Sequence, residues 1–151
     1  SASHSFSMLI LGLASPAEQT LERFREKMPP WSKPGNPFDI EPLSEVVTQE
    51  GAYRLSLDVL LSDPGVDLAL LIMSTTRTPQ IHADYVVEVA RAHPEKPVAV
   101  CIIGEASLYH RLFQIMEEAN IPVFVGVRRA VASLAALYKY RCFLDNLSRK
   151  S

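Results

Sequence analysis

The chain has 151 residues, of which 48% are hydrophobic, and its formal net charge at pH 7 is −2. This length and composition are typical of one globular domain that buries a core without disulfides or a structural metal. The small net charge disfavours nucleic acid and anionic membranes as partners, and no apolar run approaches the roughly 20 residues that cross a bilayer.

The first predicted element is a helix at the start of a domain that we predict to span residues 15–151. Residues 1–14 are interpreted as a tail or the remnant of a linker. Ser15, Pro16 and Glu18 are spaced as a capping box, with serine as N-cap, proline at the first helical position and glutamate at the third. The sequence therefore predicts that this helix begins directly after Ser15.

A proline-rich loop follows this helix. Trp31 lies in the loop and is expected to pack onto the body of the domain. The short run Pro37–Ile40 is predicted to be the first strand, with proline at its first position, where a missing N–H is tolerated.

Helices and apolar strand-like runs alternate along the rest of the chain. Thr48 is the expected N-cap of a helix over Gln49–Ser62, which a turn at Asp63–Gly65 ends. The later predicted elements are a strand over Leu68–Met73, a helix from Thr78 to about His93, a strand over Pro97–Ile103, a helix from Leu108 to Ala119 closed by Asn120, a strand over Pro122–Val125, and a last helix from about Val131 to Leu147. This alternation predicts a flavodoxin-like, doubly wound α/β fold with about four parallel strands and helices on both faces.

Ligands of such sheets bind outside the carboxyl ends of the strands, which here selects the loops 41–48, 74–78, 104–107 and 126–128. Two of these loops carry hydroxyl groups next to a helix start, where free N–H groups and the helix dipole favour anions. The loop that ends at Thr48, and Ser74, Thr75 and Thr76 together with Thr78, are therefore candidate phosphate-binding sites. Ordinary capping and turn formation is the alternative use of the same residues.

Fingerprints of catalysis and of metal binding are not found in the sequence. GxGxxG, P-loop and GxSxG motifs do not occur, and the four histidines have no suitably spaced partner. Cys101 and Cys142 lack CxxC or zinc-ligand spacing, so both are expected to be reduced thiols of a cytoplasmic protein. We therefore predict no catalytic residue and no metal ligand.

Several short motifs resemble those of NDP-forming acyl-CoA synthetases and related protein acyltransferases. Asn36, Pro37 and Asp39 match the "NPxD" element of that family. The later matches are residues 63–67 (DPGVD), 96–98 (KPV), 119–124 (ANIPVF) and 130–138, the last resembling an "AV…AL…LY" helix. The match covers roughly residues 13–140 and is to the second CoA-ligase domain, which is flavodoxin-like.

This resemblance implies a part of a ligase that joins an acid to CoA while ATP is cleaved to ADP and phosphate, through an acyl phosphate and a phosphohistidine. It implies that a helix starting near Thr48 and Gln49 presents its amino end to the phosphohistidine. CoA and ATP with Mg²⁺ belong to the complete enzyme, whose CoA-binding, ligase and ATP-grasp domains are the implied partners. The resemblance implies no cofactor within this segment, leaves a homo-oligomer open, and implies that the segment alone is inactive.

The sequence departs from the family just before this helix. The relatives' glycine-rich loop is replaced by Glu41–Glu45, and its two carboxylates oppose a phosphate. This supports the alternative hypothesis of a non-catalytic regulatory or interaction module of a synthetase-like protein acyltransferase. A stand-alone flavin protein is disfavoured, because no phosphate-binding loop follows the first predicted strand.

Overall fold

A computed structural model describes residues 12–74, 83–104 and 110–149 of the chain. Within these ranges, helices and strands alternate as expected for a parallel α/β domain. The elements are α1 (Glu18–Arg25), α2 (Glu41–Ser44), α3 (Gln49–Leu61), β1 (Ala69–Ser74), α4 (Asp84–Ala92), β2 (Val98–Ile103), α5 (His110–Glu118), β3 (Val123–Val125) and α6 (Val127–Ser148).

The sheet in the described ranges has three parallel strands in the order β1-β2-β3. Ala69 is paired with Val98 and Val100 with Val123, so all three strands direct their carboxyl ends to one edge. The predicted parallel α/β class is confirmed. Three strands lie in the described ranges, where about four were predicted for the domain.

Helices cover both faces of this sheet. On one face, α3, α4 and α5 supply Leu57, Val86 and Met116 to the main core. The opposite face carries Ala99 and Cys101, which are fully buried, and α6 contacts β2 and β3. The continuous apolar run of β2 therefore reflects a strand that is buried on both sides.

The predicted strand Pro37–Ile40 is wrong, because this segment is irregular and leads into α2. Phe38 packs its ring on Phe24 of α1, with ring centroids 4.0 Å apart. Asp39 Oδ1 accepts the N–H of Glu41 at 3.0 Å, which fixes the turn into α2. Tertiary packing and a local side-chain cap thus override the strand preference of these residues.

The predicted capping box at the first helix is also wrong. α1 begins at Glu18, its N-cap residue is Ala17, and no side chain caps it locally. The N–H of Ala17 donates instead to Asp63 Oδ2 at 2.7 Å. The Asp63 carboxylate, in the turn after α3, therefore accepts a hydrogen bond at the start of α1 in place of the Ser15 side chain. The spacing of residues near Ser15 does not indicate this contact, because Asp63 is distant in the sequence.

The proline-rich loop contributes less to the core than predicted. Trp31 does not pack onto the body of the domain, since it is 66% exposed. The apolar cluster next to this loop is filled by Phe24 and Met28 of the first helical region. The expectation for Trp31 is therefore corrected to a surface position.

Asn120 closes α5, as the sequence predicts. Asn120 has a φ of 57°, and the N–H of Ile121 donates to the carbonyl of Met116 at 2.8 Å, as in a helix closed by a left-handed residue. The predicted starts at Thr78 and Leu108 lie outside the described residues. The boundary at residue 15 stays a prediction.

Candidate anion-binding edge of the sheet

The direction of α3 places its amino end at the carboxyl edge of the sheet. α3 ends at Leu61, and the short connection 62–68 leads directly to the start of β1. α3 contacts β1, so the two elements lie side by side and run in opposite directions. Thirteen helical residues and six strand residues each span about 20 Å. The start of α3 is therefore level with the end of β1.

The predicted N-cap of α3 is confirmed. Thr48 has extended backbone angles, with φ −64° and ψ 158°, and its Oγ1 accepts the N–H of Gly51 at 3.1 Å. Glu50 lies in the first helical turn, and its carboxylate is 3.6 Å from Arg54. One first-turn amide is thus bound by the cap, and the acidic side chain next to it is partly neutralised.

Replacing Thr48 with valine is expected to lower the free energy of unfolding by about 1 kcal/mol, because valine has no oxygen to accept the Gly51 N–H. Thr48→Ser keeps the hydroxyl and should stay close to the parent chain. Urea unfolding followed by circular dichroism measures both variants. Equal losses for valine and serine would contradict the capping role.

The second predicted group of phosphate-binding residues lies at the end of β1. Ser74 is the last residue of β1 and is paired with Ile103 of β2, so its backbone reaches the carboxyl edge. Thr75 and Thr76 lie outside the described residues. The start of α3 and the end of β1 therefore lie at one edge of the sheet.

The acidic segment that precedes α3 forms the short helix α2. Glu41 is in its first turn and Glu45 is its C-cap residue, and both side chains are exposed. Val47 N–H donates to the carbonyl of Leu43 at 3.0 Å, so the chain enters α3 from a compact turn. This segment is a helical entry to α3 and not a glycine-rich loop.

The "NPxD" residues shape this entry. Asn36 Nδ2 donates to the carbonyl of Ala14 at 2.9 Å, which ties the loop to the segment before α1. The bond between Asn36 and Pro37 is cis. Asp39 accepts the Glu41 N–H, as described above. The contacts of Asn36 and Asp39 are therefore within the chain, and these residues position α2 and the start of α3.

Sequence reasoning missed an apolar surface at the same edge. Ile72, Ile103, Val125 and Val127 are 36–56% exposed at the ends of the three strands and at the start of α6. Both isoleucines and Val125 are near the carboxyl ends of their apolar runs. That position in the sequence could have indicated that these side chains lie at the carboxyl edge of the sheet. Exposed apolar side chains gathered at one edge are typical of a surface that contacts another domain.

A groove of about 360 Å³ lies between α3 and α4. Arg54, Asp58 and Glu88 are its charged lining residues, and Arg54 forms an ion pair with Glu88. Asp58 Oδ1 lies 2.9 Å from Nε2 of His93. Carboxylates outnumber cations among the lining residues, so the groove is a poorer place for phosphate than the start of α3.

The described ranges hold neither a membrane-spanning helix nor a metal-binding cluster. No helix there is long and apolar enough to cross a membrane. The same ranges contain no group of three or more histidine, cysteine or carboxylate side chains placed to hold a metal ion.

Two curated proteins are similar to most of this chain. Acetate–CoA ligase [ADP-forming] II of Archaeoglobus fulgidus is 28% identical over 131 residues, which are 86% of this chain and 19% of that protein. The alpha subunit of acetate–CoA ligase [ADP-forming] I of Pyrococcus furiosus is 29% identical over 124 residues, 81% of this chain and 26% of the subunit. Over most of its length the chain is similar to ADP-forming acetate–CoA ligases.

The crystal structure of PH0766 from Pyrococcus horikoshii has the same fold as this chain, with a TM-score of 0.59. The two are 23% identical in sequence, and the match covers 77% of this chain and 27% of PH0766. No protein-family model matches the sequence. The resemblance inferred from the short motifs is thus confirmed. The chain spans only about a fifth to a quarter of the length of the curated relatives it matches.

Proposed function

We propose that this chain is a CoA-ligase domain of an NDP-forming acyl-CoA synthetase, an enzyme that converts an acid, CoA and ATP into acyl-CoA, ADP and phosphate. Its contribution is to bind the phosphoryl anion at the carboxyl edge, with Thr48, Gln49 and the segment Ser74–Thr76. The observation that carries the proposal is the amino end of α3 at this edge, in a chain similar to ADP-forming acetate–CoA ligases.

The physical basis is the electrostatics of a helix start. The first amides of a helix point along its axis, and the helix dipole adds about half a positive charge at this end. In α3 the Thr48 side chain accepts the amide of Gly51, and we assign the preceding first-turn amides to the anion. Such donors stabilise a phosphoryl group without forming a bond to it. The domain therefore orients and stabilises, while the reacting histidine belongs to another segment.

The proposed partners are other domains of the same enzyme, namely its CoA-binding, ligase and ATP-grasp domains. The exposed apolar side chains at the carboxyl edge, including Ile72, Ile103 and Val125, support a domain contact around the anion site. CoA and ATP with Mg²⁺ bind to those other domains in this proposal. The isolated segment is accordingly inactive, and the complete enzyme is cytoplasmic.

A regulatory module of a synthetase-like protein acyltransferase is the second candidate function. The exposed carboxylates of Glu41 and Glu45 favour it, because they lie in the segment that enters α3. Like charges near a phosphate weaken its binding. Under this candidate the start of α3 retains its structure but has no affinity for phosphate.

Variants at Gln49 separate the two candidates. A carboxylate at the first helical position stabilises the helix itself but repels a bound anion, so Gln49→Glu should fold well and lose phosphate binding. Gln49→Ala is the matched control, which keeps the backbone amides. At a phosphate concentration tenfold above the dissociation constant, binding adds about 1.4 kcal/mol to stability.

Thermal unfolding in increasing phosphate is the measurement. Phosphate also stabilises proteins by exclusion from their surfaces, so the difference between the two Gln49 variants is the readout. Phosphate should raise the unfolding temperature of Gln49→Ala more than that of Gln49→Glu. The same rise in both variants would argue against an anion site at α3.

A further inference from the structure

The last three turns of α6 carry an apolar stripe on their outer side. The stripe consists of Leu137, Tyr140, Phe143, Leu144 and Leu147, whose exposed fractions range from 41% to 60%. On a helical wheel at 100° per residue these positions fall within about 120° of one another. The buried residues Leu134 and Ala135 lie about 120–140° from the middle of the stripe on this wheel, on the sheet-facing side of the helix. Earlier in α6, the outer side is polar or small, with Arg129 and Ser133.

This part of α6 extends away from the body of the domain. The last buried residue of α6 is Ala135, and the helix continues to Ser148. These remaining residues add about 20 Å of helix. A helical extension of this length is marginally stable in water on its own, and its stability comes from covering an apolar face. The outer stripe is therefore a surface built to be covered.

The spacing of the stripe matches a second copy of itself. Leu137, Tyr140, Leu144 and Leu147 are spaced by three, four and three residues, the a and d positions of a heptad repeat. Leu137 and Leu147 are equidistant from Cys142, as are Tyr140 and Leu144. When two such helices run antiparallel, position 137 meets position 147 of the other copy and position 140 meets position 144. Every layer is then apolar in both chains.

We propose that two copies of this chain pair through the outer stripe of α6 as an antiparallel, two-fold symmetric helix pair. A two-fold interface requires a surface that is complementary to itself, and the stripe meets this requirement. The five side chains expose about 500 Å² per copy, since each aromatic presents some 150–250 Å². Pairing would therefore bury roughly 1,000 Å², at the lower end of specific interfaces, as in a weak dimer.

The charges beside the stripe are compatible with this pairing. Arg141 lies on one flank, where antiparallel symmetry brings it close to Arg141 of the other copy. Arg141 Nε is 3.0 Å from Asp145 Oδ1 one turn later, so the arginine is already paired within its own helix. Asp145 lies about 140° from the middle of the stripe, so this ion pair forms away from the pairing surface and partly neutralises the arginine.

Sedimentation equilibrium of the 151-residue chain tests the pairing. The mass should rise from 16.8 kDa toward twice that value between about 5 and 500 µM, as expected for a weak interface. Tyr140→Glu places a charge in a central layer and should weaken dimerisation at least tenfold. Asn146→Glu, on the opposite side of the same helix, is the matched control and should dimerise like the parent. Circular dichroism at 5 µM confirms that both variants fold.

Crosslinking between two variants that each carry one engineered cysteine, with Cys101 fully buried, tests the antiparallel direction. In a Cys142→Ser background, Leu137→Cys and Leu147→Cys are mixed and treated with a short bismaleimide. The mixture should give a covalent dimer, whereas either variant alone should not, because like positions are separated by about 15 Å along the axis.

Three results would overturn the proposal. They are a monomer at all concentrations, a dimer that Tyr140→Glu does not weaken, and efficient crosslinking of Leu137→Cys with itself. A monomer at all concentrations would mean that the stripe does not pair with a second copy of itself. A dimer unaffected by Tyr140→Glu would mean that the two copies pair through a different surface. The third would mean a parallel arrangement. Phosphate binding at α3 is measured independently, so its failure leaves this inference intact.

Discussion

Phe24→Ala is expected to lower the free energy of unfolding by about 3–5 kcal/mol, as for other fully buried phenylalanines. Phe24 of α1 is completely buried, and its ring packs on that of Phe38, with ring centroids 4.0 Å apart. Leu43 of α2 and Val59 of α3 belong to the same apolar cluster. Alanine at this position would therefore open a cavity between three helices and the loop before α2.

Urea unfolding followed by tryptophan fluorescence and circular dichroism measures the loss. Phe24→Leu fills most of the cavity and should cost about 1 kcal/mol, which keeps the test usable if the alanine variant does not fold. Trp31→Ala is the surface control, and circular dichroism follows its unfolding, which should change by less than about 0.5 kcal/mol. A small loss for Phe24→Ala would mean that α1 does not pack on α3 as described.

Asp63→Ala is expected to cost about 2–3 kcal/mol, because it leaves partly buried N–H donors without a charged acceptor. The carboxylate is 2% exposed and accepts the N–H groups of Ala17 and Gly65, each at 2.7 Å. Lys96 Nζ donates to the Asp63 carbonyl at 2.6 Å. One residue therefore joins the start of α1, the turn after α3 and the segment before β2. Asp67→Ala, at an exposed position of the same turn region, should change stability by less than about 0.5 kcal/mol.

The Asp63 carboxyl should also contribute to acid unfolding. Burial raises its pKa, but hydrogen bonds from Thr20, Gly65 and Ala17 and the charge of Lys96 outweigh burial, so the pKa lies below its ordinary value. A carboxyl with a lowered folded-state pKa stabilises the fold above the unfolded-state pKa of about 4 and loses this stabilisation as the pH falls through its folded-state value.

Urea unfolding at several pH values from 6 down to 2.5 checks this contribution. The parent chain should lose more free energy of unfolding over that range than Asp63→Asn, which has no carboxyl to protonate. Parallel losses in the two proteins would assign acid sensitivity to other groups.

The parts of the fold that sequence reasoning predicted depend on local patterns. Thr48 was found because a hydroxyl residue before an amphipathic run satisfies an amide within three residues of itself. β2 could be predicted because its apolar run is continuous, which is typical of a strand buried on both faces of a sheet. Asn120 was found because it combines a helix end with a side chain that tolerates a positive φ.

The parts that were missed depend on contacts between distant residues. Pro37–Ile40 has strand-forming side chains, but Phe38 is held by a ring fourteen residues earlier in the chain. Ser15 is well placed to cap α1, but Asp63, 46 residues after Ala17, takes that role. The exposed isoleucines Ile72 and Ile103 were assigned to buried strands, because an apolar run does not show which side chains a helix leaves uncovered.

The central claim, a phosphoryl-binding edge formed by the start of α3 and the end of β1, is tested most directly by NMR. Inorganic phosphate is titrated into the ¹⁵N-labelled chain while backbone amide shifts are followed. We expect saturable shifts at Thr48, Gln49, Glu50 and Ser74, with much smaller changes along the groove at Asp58 and Glu88. Shifts confined to that groove, or the absence of saturable shifts at residues 48–50, would contradict it.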